Sequence, residues 1–289
     1  MRIVIIGANG QLGSELKDLL RNDTEKECHF LDRKHLPLDQ TFIIQDLLAQ
    51  YQPDVIIHAA AYTAVDKAES EQELADQINH LATAEIAQYC RIHGTKLIAI
   101  STDYVFDGNS NVPLKENAHV DPINIYGLTK LKGEYAIQKW LPDGIIIRTS
   151  WVYSVYGNNF VKTMVRLMSE REEISVINDQ IGSPTYAHDL ALAIVDIIES
   201  DKWVGGVYNY SNEGEISWYD FALEIRNCLG LDCQIRPIPT SQYPTPAKRP
   251  SYSLLDKSKI KATFNVTVPD WIDSLQIMIA RLELNNQKK

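Results

Sequence analysis

The segment RIVIIGANGQLG (residues 2–13) decides the fold. RIVII (2–6) is a short apolar run typical of a buried strand, and QLGSELKDLL (11–20) carries leucines at helical spacing. Between them, Gly7, Gly10 and Gly13 allow a tight turn and a close approach of backbone to phosphate. The spacing GxxGxxG is one residue longer than the common GxGxxG. Three glycines alone would suit a plain turn, but the strand–loop–helix context predicts dinucleotide binding at the helix N-terminus.

The same alternation continues through the first half of the chain. Apolar runs at 28–31, 54–58, 96–101 and 144–149 alternate with helical patterns at 41–51, 66–91 and from 125 onward. Continuous apolar strands separated by helices are typical of a parallel sheet that is covered on both faces. We therefore predict an α/β fold whose doubly wound, Rossmann-like parallel sheet occupies residues 1–150 and binds NAD(P).

The pattern loosens after residue 150. Helical patterns lie near 158–171, 187–200, 217–229 and 269–285, and short strands fit 174–177 and 206–210. The proline-rich segment 234–255 is incompatible with a long helix. We predict that residues 151–289 form mainly a smaller substrate-binding lobe, with some segments returning to the first domain.

Composition excludes several classes of protein. The 289-residue chain has a net charge of −10, which disfavours nucleic acid as a partner. No apolar stretch is long enough for a membrane span, and the apolar run after Arg2 is too short for a signal peptide. The four scattered cysteines form no CxxC motif, so we expect reduced thiols, no metal site and a cytoplasmic protein: Cys28, Cys90, Cys228 and Cys233.

The residues that end the second strand are compatible with either NAD or NADP as the cofactor. Asp32 stands where an acid usually binds the ribose hydroxyl of NAD. Arg33 and Lys34 follow directly and could hold a 2′-phosphate, so we expect NADPH with NADH tolerated. The alternative is a group of solvated charges after a strand.

Two tyrosine–lysine pairs share one spacing, Tyr126 with Lys130 and Tyr135 with Lys139. At four residues apart on a helix, each pair shares a face, and a nearby ammonium favours the phenolate. Residues nine apart point in nearly opposite directions, so only one pair can face the cofactor. We expect Tyr135 to be half-exposed, with Lys139 lying along its ring.

Position selects the first pair. Tyr126 begins its helix near the carboxyl edge of the sheet, where open α/β sheets bind ligands. The strand KLIAIS ends beside it at Ser101 and Thr102, and a hydroxyl there can bind the substrate oxygen that Tyr126 protonates. Hydroxyl, tyrosine and lysine together are more specific than the tyrosine–lysine spacing alone.

These residues resemble the extended short-chain dehydrogenase/reductase family and, within it, the dTDP-4-dehydrorhamnose reductases. The motifs that carry the resemblance span nearly the whole chain: GANGQLG (7–13), AAAYTAVDKAES (59–70), STDYVFDG (101–108), YGLTK (126–130), RTSWVY (148–153), GNNFVKTM (157–164), INDQIGSPT (177–185) and YPTPAKRPSYSLL (243–255). The resemblance implies NADPH-dependent reduction of the C4 ketone of a dTDP-linked 4-dehydro-6-deoxy sugar to dTDP-L-rhamnose, which serves cell-surface polysaccharide.

The resemblance also implies roles for individual residues. Tyr126 is expected to give a proton to the C4 oxygen, Lys130 to assist it and hold the nicotinamide ribose, and Thr102 to orient that oxygen. The cofactor positions that it implies are Gly10, Gln11, Leu12, Asp32, Asp39, Ala61, Tyr62, Thr63 and Asn79, and the substrate positions are Val65, Asp103, Tyr104 and Trp151. Trp151 would form a flat wall for the sugar, or would be an ordinary buried tryptophan. Lys248 and Arg249 are candidates for the diphosphate on charge alone.

Two rival functions stay open. A dehydratase or epimerase on this scaffold would turn over without net oxidation of the cofactor, but a dehydratase typically carries Thr-Asp-Glu where this chain has Thr102, Asp103 and Tyr104. A non-catalytic binding subunit is disfavoured by the intact Thr102, Tyr126 and Lys130. The family includes monomers and homodimers, some with Mg²⁺ at the subunit contact, so the oligomeric state and Mg²⁺ also stay open.

Overall fold

A computed structural model describes residues 1–287. Within them the strands are β1 (Arg2–Ile6), β2 (Glu27–Leu31), β3 (Val55–His58), β4 (Lys96–Thr102), β5 (Ile145–Thr149), β6 (Val152–Tyr153), β7 (Glu173–Ile177), β8 (Ile181–Gly182), β9 (Thr185–Tyr186), β10 (Gly206–Asn209), β11 (Ile216–Ser217) and β12 (Gln234–Ile238).

The α-helices are α1 (Gln11–Leu20), α2 (Ile44–Ala49), α3 (Val65–Ala68), α4 (Gln72–Asp76), α5 (Ala82–His93), α6 (Ile125–Trp140), α7 (Phe160–Glu170), α8 (Ala187–Glu199), α9 (Trp218–Leu229), α10 (Ser258–Phe264) and α11 (Trp271–Gln287). Single 3₁₀ turns lie at Thr41–Ile43, Asp103–Val105 and Thr240–Gln242. No helix among the described residues is long and apolar enough to cross a membrane.

The central sheet has the order β10-β5-β4-β3-β1-β2, and all its neighbouring strands are parallel. Side chains alternate across each strand, so Ile3 and Ile5 face one hydrophobic core while Val4 and Ile6 face another. Helices α1 and α8 cover the first face, and α2, α5 and α6 cover the second. The predicted doubly wound parallel sheet is therefore confirmed, and its strand order reverses beside β1.

A third hydrophobic core belongs to the smaller C-terminal lobe. It is built by α7, α9 and α11 together with the short pairs β6–β9 and β7–β12, around residues such as Val161, Phe221 and Leu275. The chain also returns to the first sheet after residue 150, because β10 pairs with β5 and α8 packs on α1.

The helix predicted over 66–91 is not continuous. Turns at Glu69–Glu71 separate α3 from α4, and a π-helical segment, Gln77–Leu81, joins α4 to α5. The π turn brings Asn79 inward, where its Oδ1 accepts from the Tyr62 backbone N–H at 2.8 Å and its Nδ2 donates to the Tyr62 carbonyl at 3.2 Å. Helical spacing in the sequence could not show this inserted residue.

Candidate active site

Four parallel strands end at one edge of the sheet and deliver the predicted site residues there. The glycine loop follows β1, the segment 59–64 follows β3, Thr102 ends β4, and Trp151 lies just after β5. Because parallel strands share their carboxyl edge, residues far apart in sequence meet in one place.

The glycine loop is packed too tightly for side chains. Gly7 has φ +94°, and a Cβ on Gly13 would lie 2.2 Å from the Gly7 carbonyl oxygen. No side chain among the described residues caps the first turn of α1. The backbone N–H groups of Gln11, Leu12 and Gly13 are therefore left without helical or side-chain partners, as at helix N-termini that can accept an anion.

The side chains of Gln11 and Leu12 serve other purposes. Leu12 is 7% exposed and packs in the core beneath the sheet. Gln11 donates to the Val152 carbonyl at 3.2 Å and accepts from Asn159 at 2.9 Å, so it ties the loop to the C-terminal lobe. These two residues offer a ligand their backbone rather than their side chains.

A groove of about 580 Å³ runs from the glycine loop past the end of β2. Eight of the predicted cofactor residues line it, namely Gly7, Gly10, Asp32, Arg33, Asp39, Ala61, Tyr62 and Thr63. Lys34 lines it as well, and so do residues that sequence reasoning missed: Asn9, Leu36, Leu38, Ala60, Ala64 and Ile78. The apolar members give the groove a flat wall, which periodicity in the sequence could not distinguish from core.

Asp32 is held by donors from its own loop and from the glycine loop. Its carboxylate lies 2.7 Å from His35 Nδ1 and accepts from the Lys34 N–H at 2.9 Å and from Asn9 Nδ2 at 3.1 Å. The bond to the His35 ring and the backbone N–H groups of Lys34 and His35 lower the pKa of Asp32 to about 2. Arg33 is largely exposed and pairs with Asp39 at 2.9 Å.

Asn79 lies beneath the groove and is 1% exposed. Besides clamping Tyr62, its Nδ2 lies 3.1 Å from the Thr129 hydroxyl on α6. Asn79 therefore has a supporting role, because it links the loop after β3 to α6, the helix that carries Tyr126.

Tyr126, Lys130 and Thr102 come together where β4 ends. The Thr102 hydroxyl donates to Asp103 Oδ1 at 3.1 Å and lies near enough to Tyr126 to act on the pKa of its phenol. Lys130 is 6% exposed, and its Nζ donates to the Ile100 carbonyl at 2.7 Å. The neighbouring Ser101 points to the opposite side of β4, where it donates to the buried Glu134 at 2.5 Å. Thr102 is thus the hydroxyl that faces Tyr126.

Burial dominates the electrostatics of this group. It raises the pKa of Tyr126 to about 12, although the bond to Thr102 opposes this shift, so the phenol keeps its proton at neutral pH. Burial also lowers the pKa of Lys130 to about 8, and the nearby Glu134 opposes that shift. The predicted lowering of the tyrosine pKa by the lysine is therefore outweighed in this structure.

The two tyrosine–lysine pairs occupy opposite sides of α6. Tyr126 is partly buried and lies at the sheet edge, whereas Tyr135 is 53% exposed. One detail of the prediction is wrong: Lys139 places its Nζ 4.8 Å from the centre of the Trp140 ring rather than along Tyr135. The adjacent ring is nearer to the solvent end of the helix, and the ammonium gains a cation–π contact there.

The residues predicted to contact substrate lie in the segments that follow β3, β4 and β5, and Tyr104 among them packs against Tyr126. Tyr104 packs edge-on against its ring, with centroids 5.7 Å apart, and Asp103 is 2% exposed. Half-buried Val65 begins α3. Arg249 is engaged by Asp66 at 2.8 and 3.1 Å and also contacts Tyr104, while Lys248 is exposed. Arg249 thus ties the proline-rich segment to α3 and is not a free cation for a diphosphate.

Trp151 is held in a strained position in the C-terminal lobe. Its φ is +47°, a left-handed conformation that non-glycine residues rarely adopt. It stacks on Trp218 with ring centroids 3.7 Å apart, and Gly182 lies against its edge. Strain at a partly buried aromatic beside a candidate site is typical of a ligand contact. Trp218, which sequence reasoning missed, extends the same flat surface.

The described residues contain no group of three or more His, Cys, Asp or Glu side chains arranged to hold a metal ion.

Comparison with known proteins places this geometry in a family. The model of the RmlD substrate binding domain family matches residues 1–284. The curated dTDP-4-dehydrorhamnose reductase of Aggregatibacter actinomycetemcomitans is 38% identical over 292 residues, which cover 98% of this chain and 99% of that protein.

Solved structures agree. A dTDP-4-dehydrorhamnose reductase from Clostridium acetobutylicum is 38% identical, with a TM-score of 0.94 over 98% of this chain and 100% of that one. A second from Bacillus anthracis, in complex with NADP, is 40% identical, with a TM-score of 0.93 over 97% of this chain and 99% of that one. The chain therefore belongs to the dTDP-4-dehydrorhamnose reductase family of extended short-chain dehydrogenases/reductases.

Proposed function

We propose that this protein uses NADPH to reduce the C4 ketone of dTDP-4-dehydrorhamnose, which gives dTDP-L-rhamnose. One observation carries the proposal: Tyr126, Lys130 and Thr102 meet at the sheet edge, close to a groove that is shaped for a dinucleotide. A reductase of this family from Aggregatibacter actinomycetemcomitans and an NADP complex of another from Bacillus anthracis support the substrate and the cofactor.

The chain's own residues fit a nicotinamide dinucleotide. The uncapped first turn of α1 suits the pyrophosphate, and the groove past Asp32 and Arg33 suits the adenosine half. When bound, this cofactor supplies a hydride to the carbonyl carbon of the substrate.

Tyr126 supplies the proton that completes the reduction. As the carbonyl bond electrons move onto the C4 oxygen, the Tyr126 hydroxyl transfers its proton to that oxygen and becomes a phenolate. Burial keeps Tyr126 protonated beforehand, and cationic Lys130 stabilises the phenolate once it forms. Thr102 orients the C4 oxygen, Lys130 also holds the nicotinamide ribose, and solvent returns the proton to Tyr126 between turnovers.

The groove favours NADPH over NADH. Asp32 is already engaged by His35, Lys34 and Asn9, so its oxygens are less available to ribose hydroxyls. Arg33 and Lys34 line the groove beside it, and Arg33, whose pair with Asp39 is exposed to solvent, can exchange that partner for a 2′-phosphate.

This preference predicts the effect of Arg33→Ala. Loss of an exposed cation that contacts phosphate should raise the KM for NADPH about tenfold and leave the KM for NADH nearly unchanged. Steady-state kinetics with both cofactors measure this, and Arg21→Ala, at an exposed arginine just after α1 and outside the groove, is the matched control. Equal changes with both cofactors would contradict the assignment.

A dehydratase is the weaker alternative for this site. Elimination of water needs an acid–base pair, and Tyr104 stands where such enzymes typically carry a glutamate. Burial raises the pKa of Tyr104 well above its usual range, so it stays protonated and cannot act as a base near neutral pH.

A coupled assay tests the proposed function. The purified protein is supplied with dTDP-glucose, the two enzymes that convert it to dTDP-4-dehydrorhamnose, and NADPH. We expect dTDP-rhamnose to accumulate with equal consumption of NADPH. Turnover with a retained cofactor and no net oxidation would instead indicate an epimerase or dehydratase.

A further inference from the structure

Lys130 is buried, although the proposed reaction needs its side chain to be charged. The side chain is 6% exposed, and its ammonium has three donors, one of which reaches the Ile100 carbonyl. A buried ammonium tends to lose its proton because the charged form is poorly solvated. Something nearby must keep Lys130 charged if it is to stabilise a phenolate.

Glu134 lies one helical turn after Lys130, on the same side of α6. Three hydrogen bonds fix its carboxylate: Ser101 Oγ donates at 2.5 Å, Arg148 Nε at 2.9 Å and Arg148 Nη2 at 2.7 Å. The Glu134 and Arg148 side chains are 2% and 4% exposed. This carboxylate is therefore paired with a guanidinium, immobile and shielded from water.

The β3 residue beside Lys130, His58, carries no charge. A cavity of about 10 Å³, the size of one water molecule, is lined by His58, Ser101, Lys130 and Glu134. His58 bonds to Thr83 through Nε2 at 3.1 Å, and its Nδ1 has no hydrogen-bond partner among the described residues. Burial lowers the pKa of His58 to about 3, so the ring stays neutral at working pH.

We propose that Glu134 is a positioning residue of the reaction, whose carboxylate, clamped by Arg148 and Ser101, keeps the buried Lys130 cationic. This inference rests on the proposed reductase function. Glu134 acts through Lys130 and touches neither substrate nor cofactor.

The arrangement predicts the direction of a pH effect. Because Glu134 opposes the lowering of the Lys130 pKa to about 8, neutralising Glu134 should lower that pKa further. Tyr126 loses its proton only near pH 12, so the basic limb of the kcat profile in the accessible range belongs to Lys130. Two other titratable groups face the lysine. His58 is neutral and Tyr126 is protonated, and neither changes its charge in this pH range.

The test compares Glu134→Gln with a matched variant, Glu15→Gln. Glu15 is likewise buried and bonded to a serine and an arginine, at 2.6 Å to Ser154 and 2.9 Å to Arg281, but it lies on α1. The kcat of NADPH oxidation by dTDP-4-dehydrorhamnose is measured as a function of pH. We expect Glu134→Gln to move the basic limb down by about one pH unit, which is about a tenfold loss of activity above the limb. Glu15→Gln should lower stability and leave the limb in place.

An unchanged limb in folded Glu134→Gln would overturn the inference. Because that variant leaves Arg148 buried without its partner, the double variant Glu134→Gln/Arg148→Met is assayed as well, and it lacks both charges. A smaller downward shift is expected in the double variant, because the loss of Arg148 also removes a positive charge that disfavours protonation of Lys130, and a limb that is unchanged in both variants would refute the role of Glu134. A wild-type protein that does not oxidise NADPH with this sugar would instead refute the proposed function.

Discussion

At the scale of single residues, Asp103 is an acid kept close to Tyr126 in a dry environment. It is 2% exposed, and its Oδ2 has no hydrogen-bond partner among the described residues. Burial raises its pKa from 3.8 to about 6, although bonds to Ser253 and Thr102 oppose the shift. The folded protein therefore binds a proton here more tightly than the unfolded chain does.

The substitution Asp103→Asn should change how the free energy of unfolding depends on pH. Because the pKa of Asp103 is higher in the folded state, its contribution to the free energy of unfolding is fully present below pH 3.8. That contribution is lost as the pH rises through about 6. The asparagine variant should therefore gain stability relative to wild type over that range, by on the order of 2 kcal/mol. Urea unfolding at several pH values measures the difference.

The variant Asp107→Asn is a control, because its change in stability should depend on pH in the opposite direction. Hydrogen bonds from the backbone and side chain of Asn109 lower the pKa of Asp107, so its loss should weaken the protein more as the pH rises. A flat difference for Asp103→Asn would mean that its carboxyl is ionised and well solvated in the folded state.

Residue-level prediction was possible where the signal was local. Thr102, Tyr126 and Lys130 could be selected because a strand end and a helix start both point to the sheet edge. The partner of Glu134, Arg148, and the partner of Trp151, Trp218, could not be selected from the sequence. They lie 14 and 67 residues away along the chain, and only folding brings them together.

At the scale of elements, the start of α6 is set by how closely it approaches the loop after β4. A Cβ on Gly127 would lie 2.1 Å from the Tyr104 carbonyl oxygen. Asn124 caps the helix by accepting from the Gly127 N–H at 2.8 Å. The glycine therefore seats Tyr126 against Tyr104.

Gly127→Ala should destabilise the protein even though alanine is the better helix former. Forcing α6 away from Tyr104 should cost about 1–3 kcal/mol and lower kcat, because Tyr126 moves with the helix. Denaturant unfolding and steady-state rates measure both effects. Leu128→Ala, at an exposed neighbour, should stay within about 0.5 kcal/mol of wild type. Equal stability of the two variants would contradict the close packing.

The elements themselves were predictable to different degrees. The five sheet strands of the first half follow apolar runs, and their predicted positions are confirmed to within one residue at most ends. Helix α10 was missed because it is short and follows a proline-rich segment. The break at the π turn was missed because its cause, the bond between Asn79 and Tyr62, is a tertiary contact.

At the scale of the whole molecule, a buried polar cluster joins the glycine-loop helix to the C-terminal helix. Glu15 on α1 is fully buried and accepts from Arg281 of α11 at 2.9 Å and from Ser154 at 2.6 Å, with His188 3.2 Å away. Burial raises the pKa of Glu15, but these partners together lower it below its usual value. Helical periodicity predicts both helices and cannot show that they are linked.

Arg281→Ala should therefore weaken the fold considerably. Removing one partner leaves the Glu15 carboxylate buried without its main counter-charge, which should cost about 3 kcal/mol. Arg21→Ala breaks an exposed pair with Asp18 and should cost less than about 1 kcal/mol. Urea unfolding of the two variants gives the comparison. Equal stabilities would show that Ser154 and His188 satisfy Glu15 by themselves.

The division of the chain at residue 150 stays a prediction at this scale. Apolar runs locate strands well, but strand order depends on contacts between distant segments. The sequence left open which later segments rejoin the first domain, and the pairing of β10 with β5 shows one of them.

The central claim is that the Tyr126 face of α6 performs the reduction, and the variants Tyr126→Phe and Tyr135→Phe test it most directly. Each removes one hydroxyl from the same helix, and the readout is kcat for NADPH oxidation by dTDP-4-dehydrorhamnose. Tyr126→Phe should lose roughly 10²–10⁴-fold because the general acid is gone, while Tyr135→Phe should keep nearly full activity. Unchanged turnover in Tyr126→Phe, or an equal loss in both variants, would contradict the account.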